Sequence, residues 1–157
     1  MGAVLCSFAV HLFTREQLRE VALQTSRVCA DESAVVIITF LKPDIGQSLF
    51  DQFVEGYADA DRARYFDFDE ISQALAFGGW SPVVSERIHF DDSITVRDFC
   101  EMLYSRPFST FQLLRQLNGE EWLSAQIESA ANRARLCTHD GILRNERALS
   151  LLVFRKG

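Results

Sequence analysis

No segment of this sequence reaches the roughly 20 consecutive apolar residues that a membrane span needs, and no basic run is longer than Arg155-Lys156. A formal net charge of −6 without a basic stripe argues against a phosphate-backbone partner. Nucleic acid and membrane are therefore both set aside as partners. The four cysteines, Cys6, Cys29, Cys100 and Cys137, lie far apart and form no C-x-x-C pair, and the three histidines are scattered. A zinc site has no support in that spacing. The start has no positively charged n-region and no small-x-small cleavage site, so the expectation is a cytoplasmic protein with four reduced thiols, buried or half-buried. Gly2 opens what resembles an N-myristoylation signal, but Cys6 stands where Ser or Thr is wanted. Catalytic signatures are missing too: there is no G-x-S-x-G, H-E-x-x-H, Walker A or G-x-G-x-x-G.

What remains is a chain of 157 residues, 48 % apolar and 24 % charged, enough for one domain with a real core. It opens on "AVLCSFAVHLF", a nearly continuous apolar run that reads as a strand buried on both faces. Thr14 with Gln17 three residues on is a capping-box pattern, and Leu18, Val21, Ala22, Thr25, Val28 and Cys29 fall on one helical stripe. "AVVIITFLKP" then reads as a second doubly buried strand, ended by Pro43. Strand, helix, strand predicts a βαβ unit in a mostly parallel sheet with helices on both faces. Two strands alone do not make such a sheet, which points to missing partners.

Residues 44–66 mix aromatics with acids and arginines and read as one short helix and a loop. A long connection after the carboxyl end of a strand is a ligand-bearing position in α/β sheets. "DFDEISQALAFGGW" predicts a helix from an acidic cap to a Gly78-Gly79 stop, and "SPVVSERIHF" a strand. Thr95 with Asp98 caps a helix presenting Val96, Phe99, Cys100, Leu103 and Tyr104 on one face. Two more helices follow, separated at Asn118-Gly119, and "ALSLLVFRKG" closes the chain as a strand. The acids Asp59, Asp61, Asp67, Asp69 and Glu70 are read as favourable charge near helix starts. Among the imidazoles His11 has the strongest claim to function, just past the carboxyl end of the first strand.

The blocks "AVLCSFAVHLF", "SRVCADESAVVIITF", "ISQALAFGGWSPV" and "SLLVFRK", in that order, resemble the C-terminal half of a class I S-adenosylmethionine-dependent methyltransferase. The similarity is to the small-molecule branch that includes ubiquinone/menaquinone-biosynthesis-like and trans-aconitate-like enzymes. It implies an α/β fold: a partial Rossmann-like methyltransferase sheet (equivalents of strands four to seven) with a helical cap, about residues 93–136, inserted before the last strand. The whole of 1–157 would then be a single domain. It implies S-adenosylmethionine as cofactor, with Cys6, Ser7 and Phe8 beside it, and His11 near the transferred methyl as the catalytic group. Tyr57, Tyr65, Tyr104 and Arg106 would line the pocket of a small-molecule acceptor, Arg106 pairing with a carboxylate.

The departures are specific. The glycine-rich cofactor loop and the ribose-binding acid have no counterpart, and Gly2 stands where the fourth strand usually begins with Asp. The expectation is a half-enzyme that binds cofactor weakly or not at all alone, pairing with a missing N-terminal half or forming a homodimer. Two rivals stay open. One is a non-enzymatic methyltransferase-like module that pairs with another chain. The other is an unrelated α/β domain with a ligand pocket under residues 95–117.

Overall fold

The computed structural model describes residues 2–157. Contacts gather them into two compact units: residues 2–44, Arg64–His89 and Ala148–Gly157 form the first, Ile45–Ala63 and Phe90–Arg147 the second. The expected helical cap falls in the second unit, which also takes in residues 45–63.

The first unit is built on a four-stranded sheet. In chain order its elements are β1 (Ala3–Ser7), α1 (Arg15–Val28), β2 (Ala34–Thr39), α4 (Phe68–Ala76), β3 (Trp80–Asp91) and β6 (Glu146–Lys156). The spatial order is β1-β2-β6-β3. β1 and β2 pair in parallel, and β2 and β6 pair antiparallel. The sheet is thus mixed rather than mostly parallel, although the α/β class agrees with the sequence.

Register sorts the side chains into two faces, because successive residues of a strand point to opposite sides. Val4, Val35 and Phe154 stand in one row, and Cys6, Ile37 and Leu152 in the next. Leu18 and Ala22 of α1 and Ile71, Ala74 and Leu75 of α4 pack on that face, in one cluster with Trp80. Fully burying a side chain of this size contributes about 1.5–3 kcal/mol, so this face carries the unit's stability. The other face shows Leu5, Val36 and Val153 in one row, with Ile38 and Leu151 in the next. None of these five joins a buried cluster. Both strands were expected to be buried on two sides; instead β2 alternates buried with half-buried, and β1 alternates half-buried with exposed. The physical reason is that both helices of the unit lie on one face and β1 is an edge strand.

Local chemistry fixes the helices. Thr14 Oγ1 accepts from the Gln17 amide at 3.2 Å, and Gln17 Oε1 accepts from the Thr14 amide at 2.8 Å, completing the capping box. Asp67 and Glu70 make the same reciprocal pair at the start of α4. Along α1 the stripe holds at Leu18 and Ala22 but fails at Val28, which is 70 % exposed. After α4, the two glycines do different work. Gly79 takes φ +76°, the left-handed region, whereas a Cβ on Gly78 would lie 2.2 Å from the Ala22 carbonyl oxygen.

The second unit contains α2 (Leu49–Phe53), α3 (Tyr57–Arg62), β4 (Ile94–Thr95), α5 (Val96–Ser105), α6 (Ser109–Asn118), α7 (Glu120–Leu136) and β5 (Ile142–Leu143). The mixed segment thus holds two short helices, not one. Ser48 and Asp51 form a capping box at α2. The α7 stripe Leu123, Ile127, Ala130, Ala131 and Ala134 is wholly buried, as its spacing predicts. It packs with Phe99 and Leu103 of α5 and Phe111 of α6. β4 and β5 pair antiparallel, Ile94 against Leu143. All four cysteines are free, and Cys137 is exposed, against the expectation of burial, because it follows the last turn of α7.

Candidate functional site

In open α/β sheets the carboxyl ends of parallel strands are where ligands bind, since loops and helix starts converge there. β1 and β2 are the parallel pair of this sheet, so their carboxyl ends define the edge to inspect. β1 ends at Ser7, whose side chain is exposed. Phe8 follows with φ +51°, a left-handed conformation that a non-glycine residue adopts at a cost of about 1–3 kcal/mol. Its amide donates to the Ile38 carbonyl at 2.8 Å, which continues the β1–β2 ladder and holds the strained residue in place. Its ring stands 5.6 Å from that of Phe40, just past β2, and is 46 % exposed.

A 3-10 turn, Val10–Leu12, comes next. Val10 is buried and anchors the turn, so the adjoining His11 is presented at the edge, half-buried. The His11 imidazole stacks on the Tyr65 ring, with centroids 4.6 Å apart and planes 13° apart. Tyr65 is held by its neighbour: Phe66 is buried, and its carbonyl accepts from the Lys42 amide at 2.8 Å. Beyond β2, Asp44 is buried and ion-paired with Arg87 of β3. The edge therefore gathers two aromatic contacts, Phe8–Phe40 and His11–Tyr65, beside an exposed serine and a compensated buried carboxylate.

Five of the eight residues nominated from sequence lie in this first unit, at or just before the edge. Of these, Cys6 turns toward the helices: its side chain packs with the core, and burial raises its thiol pKa, the Ala9 backbone hydrogen bond opposing in part. Its thiol faces away from the uncovered side of β1. Ser7, Phe8, His11 and Tyr65 remain as a surface. Phe40, Asp44 and Arg87 were missed. The rule that singled out His11 after β1 applies equally to the residues after β2, and it points to Phe40 and Asp44; Arg87 is 43 residues from Asp44 and left no local signal.

The other three nominees belong to the second unit. Tyr57 is a core residue there, 4 % exposed, its ring 5.4 Å from Phe50 and 5.2 Å from Phe111. Tyr104 is exposed, and its hydroxyl donates to Glu128 at 3.1 Å. Arg106 ends α5 in the left-handed region, φ +49°, and its guanidinium is engaged by Glu120 and by the Ser124 hydroxyl at 3.1 Å. That hydrogen bond holds the Glu120 carboxyl below its usual value. The unit also carries an open polar cleft of about 570 Å³, lined by Asp51, Glu55, Asp59, Arg62, Gln126 and Arg133, which includes none of the nominees.

Among the described residues no group of three or more His, Cys, Asp or Glu could hold a metal ion. No helix among them is long and apolar enough to cross a membrane. For S-adenosylmethionine the edge offers one wall. The exposed ring of Phe8 and the half-buried ring of Tyr65 suit a flat base and a sulfonium, and Ser7 offers a hydroxyl. The Asp44 carboxylate is already committed to Arg87.

No family model matches this sequence, and no curated protein matches it. Solved structures do. A protein of Bacillus halodurans C-125 assigned as a methyltransferase is 18 % identical; the alignment covers 98 % of this chain and 63 % of that one, with a TM-score of 0.51. The mycolic acid cyclopropane synthase CmaA1, solved with S-adenosylhomocysteine (SAH) and CTAB, is 9 % identical over 99 % of this chain and 55 % of its own, with a TM-score of 0.49. The cyclopropane synthase MmaA2 of Mycobacterium tuberculosis is 10 % identical over 99 % and 55 %, with a TM-score of 0.47. This chain spans less than two thirds of the length of each of them. Its mixed α/β arrangement is a methyltransferase-like fold.

Proposed function

We propose that this chain carries the acceptor side of an S-adenosylmethionine-dependent methyltransferase of the small-molecule branch, as the C-terminal half of the full catalytic sheet, in the cytoplasm. The observation that carries the reading is Phe8. Backbone strain persists in a structure where surrounding contacts over-determine it, and such residues cluster at functional sites. Here the strained residue lies directly at the carboxyl end of the parallel pair, beside a histidine already oriented by a stacked tyrosine. The methyltransferase-like fold supplies the context.

S-adenosylmethionine, when bound, supplies an electrophilic methyl group on a sulfonium. The chain's own residues would do the rest. Ser7 and the Phe8 ring hold one side of the cofactor. His11 accepts the proton that an acceptor O–H or N–H loses as it attacks, and Tyr65 keeps the imidazole plane fixed meanwhile. Proton transfer of this kind contributes typically about 10²–10⁴-fold, so His11→Gln would lose a large part of turnover with proton-bearing acceptors. Tyr104 and Arg106 are candidates for acceptor contact, Arg106 only if Glu120 releases it. Tyr57, buried in the core of the second unit, is not available for acceptor contact.

A second reading rests on the unpaired edge of β1: a non-enzymatic module that completes its sheet with another chain. Chemical-shift mapping with SAH separates the two. Millimolar SAH is expected to shift Ser7, Phe8 and His11 and little else. No shift at these residues overturns the enzymatic reading, and micromolar binding by this chain alone overturns the claim that a second wall is needed.

A further inference from the structure

α7 has two faces with different uses. Its apolar stripe packs into the core of the second unit. Beside that stripe Gln126, Ser129 and Arg133 recur at i, i+3 and i+7, which puts them on one polar face. That face borders the open polar cleft of about 570 Å³, and the α2–α3 segment supplies Asp51, Glu55, Asp59 and Arg62 to the same lining. Some of this charge is already engaged. Arg62 donates to Asp59 at 3.1 Å and to the Ile45 carbonyl at 3.2 Å. Asp51 Oδ2 accepts from the Gly46 amide at 3.0 Å, the Ser48 amide at 2.9 Å and the Ser48 hydroxyl at 2.7 Å. The rest is not engaged. Asp51 Oδ1 is buried and has no hydrogen-bond partner. Glu55 meets the Gln126 side-chain amide at 3.3 Å. Arg133 donates to the Phe53 carbonyl rather than to a carboxylate. Among the described residues, then, Asp51, Glu55 and Arg133 line one cleft with opposite charges, yet none of the three forms an ion pair.

We propose that this cleft binds a small zwitterion of the amino-acid type, its ammonium group received by Asp51 and Glu55 and its carboxylate by Arg133. A buried carboxylate oxygen without a donor is costly, and an arriving N–H removes that cost. The Arg133 guanidinium keeps donors beyond the one it gives to Phe53, and charge-assisted bonds to a carboxylate are about twice as strong as neutral ones. Gln126 and Ser129 add neutral donors and acceptors between the charges. Other ligand classes satisfy less of this lining. A bare metal ion needs converging ligands, and no group of three or more His, Cys, Asp or Glu among the described residues could hold one. The acids of the cleft are thus spread out, and the ligand must be long enough to reach across them. A simple anion meets more carboxylates than unengaged guanidinium. A simple organic cation leaves Arg133 unpaired, and an apolar molecule gains little from an open polar lining. A ligand carrying both signs satisfies both. None of these residues has a part in the methyl-transfer reading, so the proposal does not rest on it.

The test is an NMR titration of the full chain with a series of amino acids of growing length: glycine, β-alanine, γ-aminobutyrate and ε-aminohexanoate. Butylammonium and butyrate serve as controls that carry one charge each. At least one zwitterion is expected to saturate, with shifts confined to the amides around Asp51, Glu55, Gln126 and Arg133. It should bind about tenfold or more tightly than either control. Arg133→Gln and Glu55→Gln should each weaken that binding about fivefold or more, and added salt should weaken it as well. Arg97→Gln makes the same change of net charge as Arg133→Gln on the exposed side of α5 and should leave binding unchanged. Circular dichroism confirms that the variants fold. No saturation by any of the four zwitterions up to about 100 mM would overturn the proposal. So would a control that binds as tightly as the best zwitterion, or folded Arg133→Gln and Glu55→Gln variants that bind as the wild type does. SAH-induced shifts at Ser7, Phe8 and His11 report on methyl transfer separately, so either reading can fail while the other stands.

Discussion

The indole Nε1 of Trp80 donates to the Ala22 carbonyl oxygen at 3.1 Å, tying the first residue of β3 to the middle of α1. Gly78 lies against the same carbonyl, where a Cβ would come within 2.2 Å. One backbone oxygen thus sets how closely the α4–β3 turn approaches α1. Gly78→Ala should destabilise the first unit by about 1–3 kcal/mol, since backbone rather than a flexible side chain must move. Trp80→Phe removes the donor and part of the filling and should cost about 1–2 kcal/mol. Urea unfolding with an unchanged m-value would confirm both; a neutral Gly78→Ala would show that the turn is looser than this contact.

The strain at Phe8 allows stability and binding to be separated. Phe8→Gly relieves the left-handed backbone and should raise stability by up to about 1 kcal/mol, net of the lost ring contact with Phe40. The same variant should abolish the SAH-induced shifts at Ser7 and His11. A variant that is both less stable and unchanged in binding would make Phe8 an ordinary packing residue.

Arg106 and Glu120 test a different residue assignment. Glu120 is exposed and Arg106 half-buried, and the pair sits at the surface of the second unit. A double-mutant cycle to alanine should therefore give a coupling below about 1 kcal/mol, and less at high salt. If Arg106 also meets an acceptor carboxylate, Arg106→Ala raises KM for acidic acceptors far more than for neutral ones. Equal effects on both would restrict it to capping α5.

Acid should weaken the fold in a defined window. Glu70 is held below the ordinary glutamate range by the hydrogen bond from Arg15 and then by the Asp67 amide, and Asp98 below the ordinary aspartate range by Thr95 and then Arg97. Both carboxyls have lower pKa values folded than unfolded. Their stabilisation is therefore complete above the unfolded values and fades as pH falls through the folded ones. The urea midpoint should hold from pH 7 to about 5 and then decline below about 4.5. Glu70→Gln should flatten part of that decline; a profile still identical to wild type would remove Glu70 from the account.

Signals that act within a few residues were legible in the sequence. Thr14 with Gln17, Asp67 with Glu70, Thr95 with Asp98 and the Asn118-Gly119 break all mark real helix boundaries, because capping is decided by neighbours along the chain. The pattern Ser48-x-x-Asp51 carries the same signal for α2, but the aromatics and charges around it leave no apolar stripe to mark the short helix that follows. Which sides of β1 and β2 are covered was not legible, since a run such as Ala34–Thr39 is equally apolar whether one helix layer or two lie over it. His11 could be placed by its position after β1, but its stacking on Tyr65 spans 54 residues and depended on where Phe66 docks. Tyr57 was misread for the same reason: an aromatic in a mixed segment looks alike whether it lines a pocket or fills a core.

The guarded β3 strand has a consequence for stoichiometry. A sheet that can grow at both ends can add chains without limit and form fibres. Pro82, Glu86 and Arg87 guard one end, so among the described residues only the β1 end, at Leu5, lacks such guards. Raising the protein concentration should therefore not drive open-ended, fibre-like growth through both ends of the sheet.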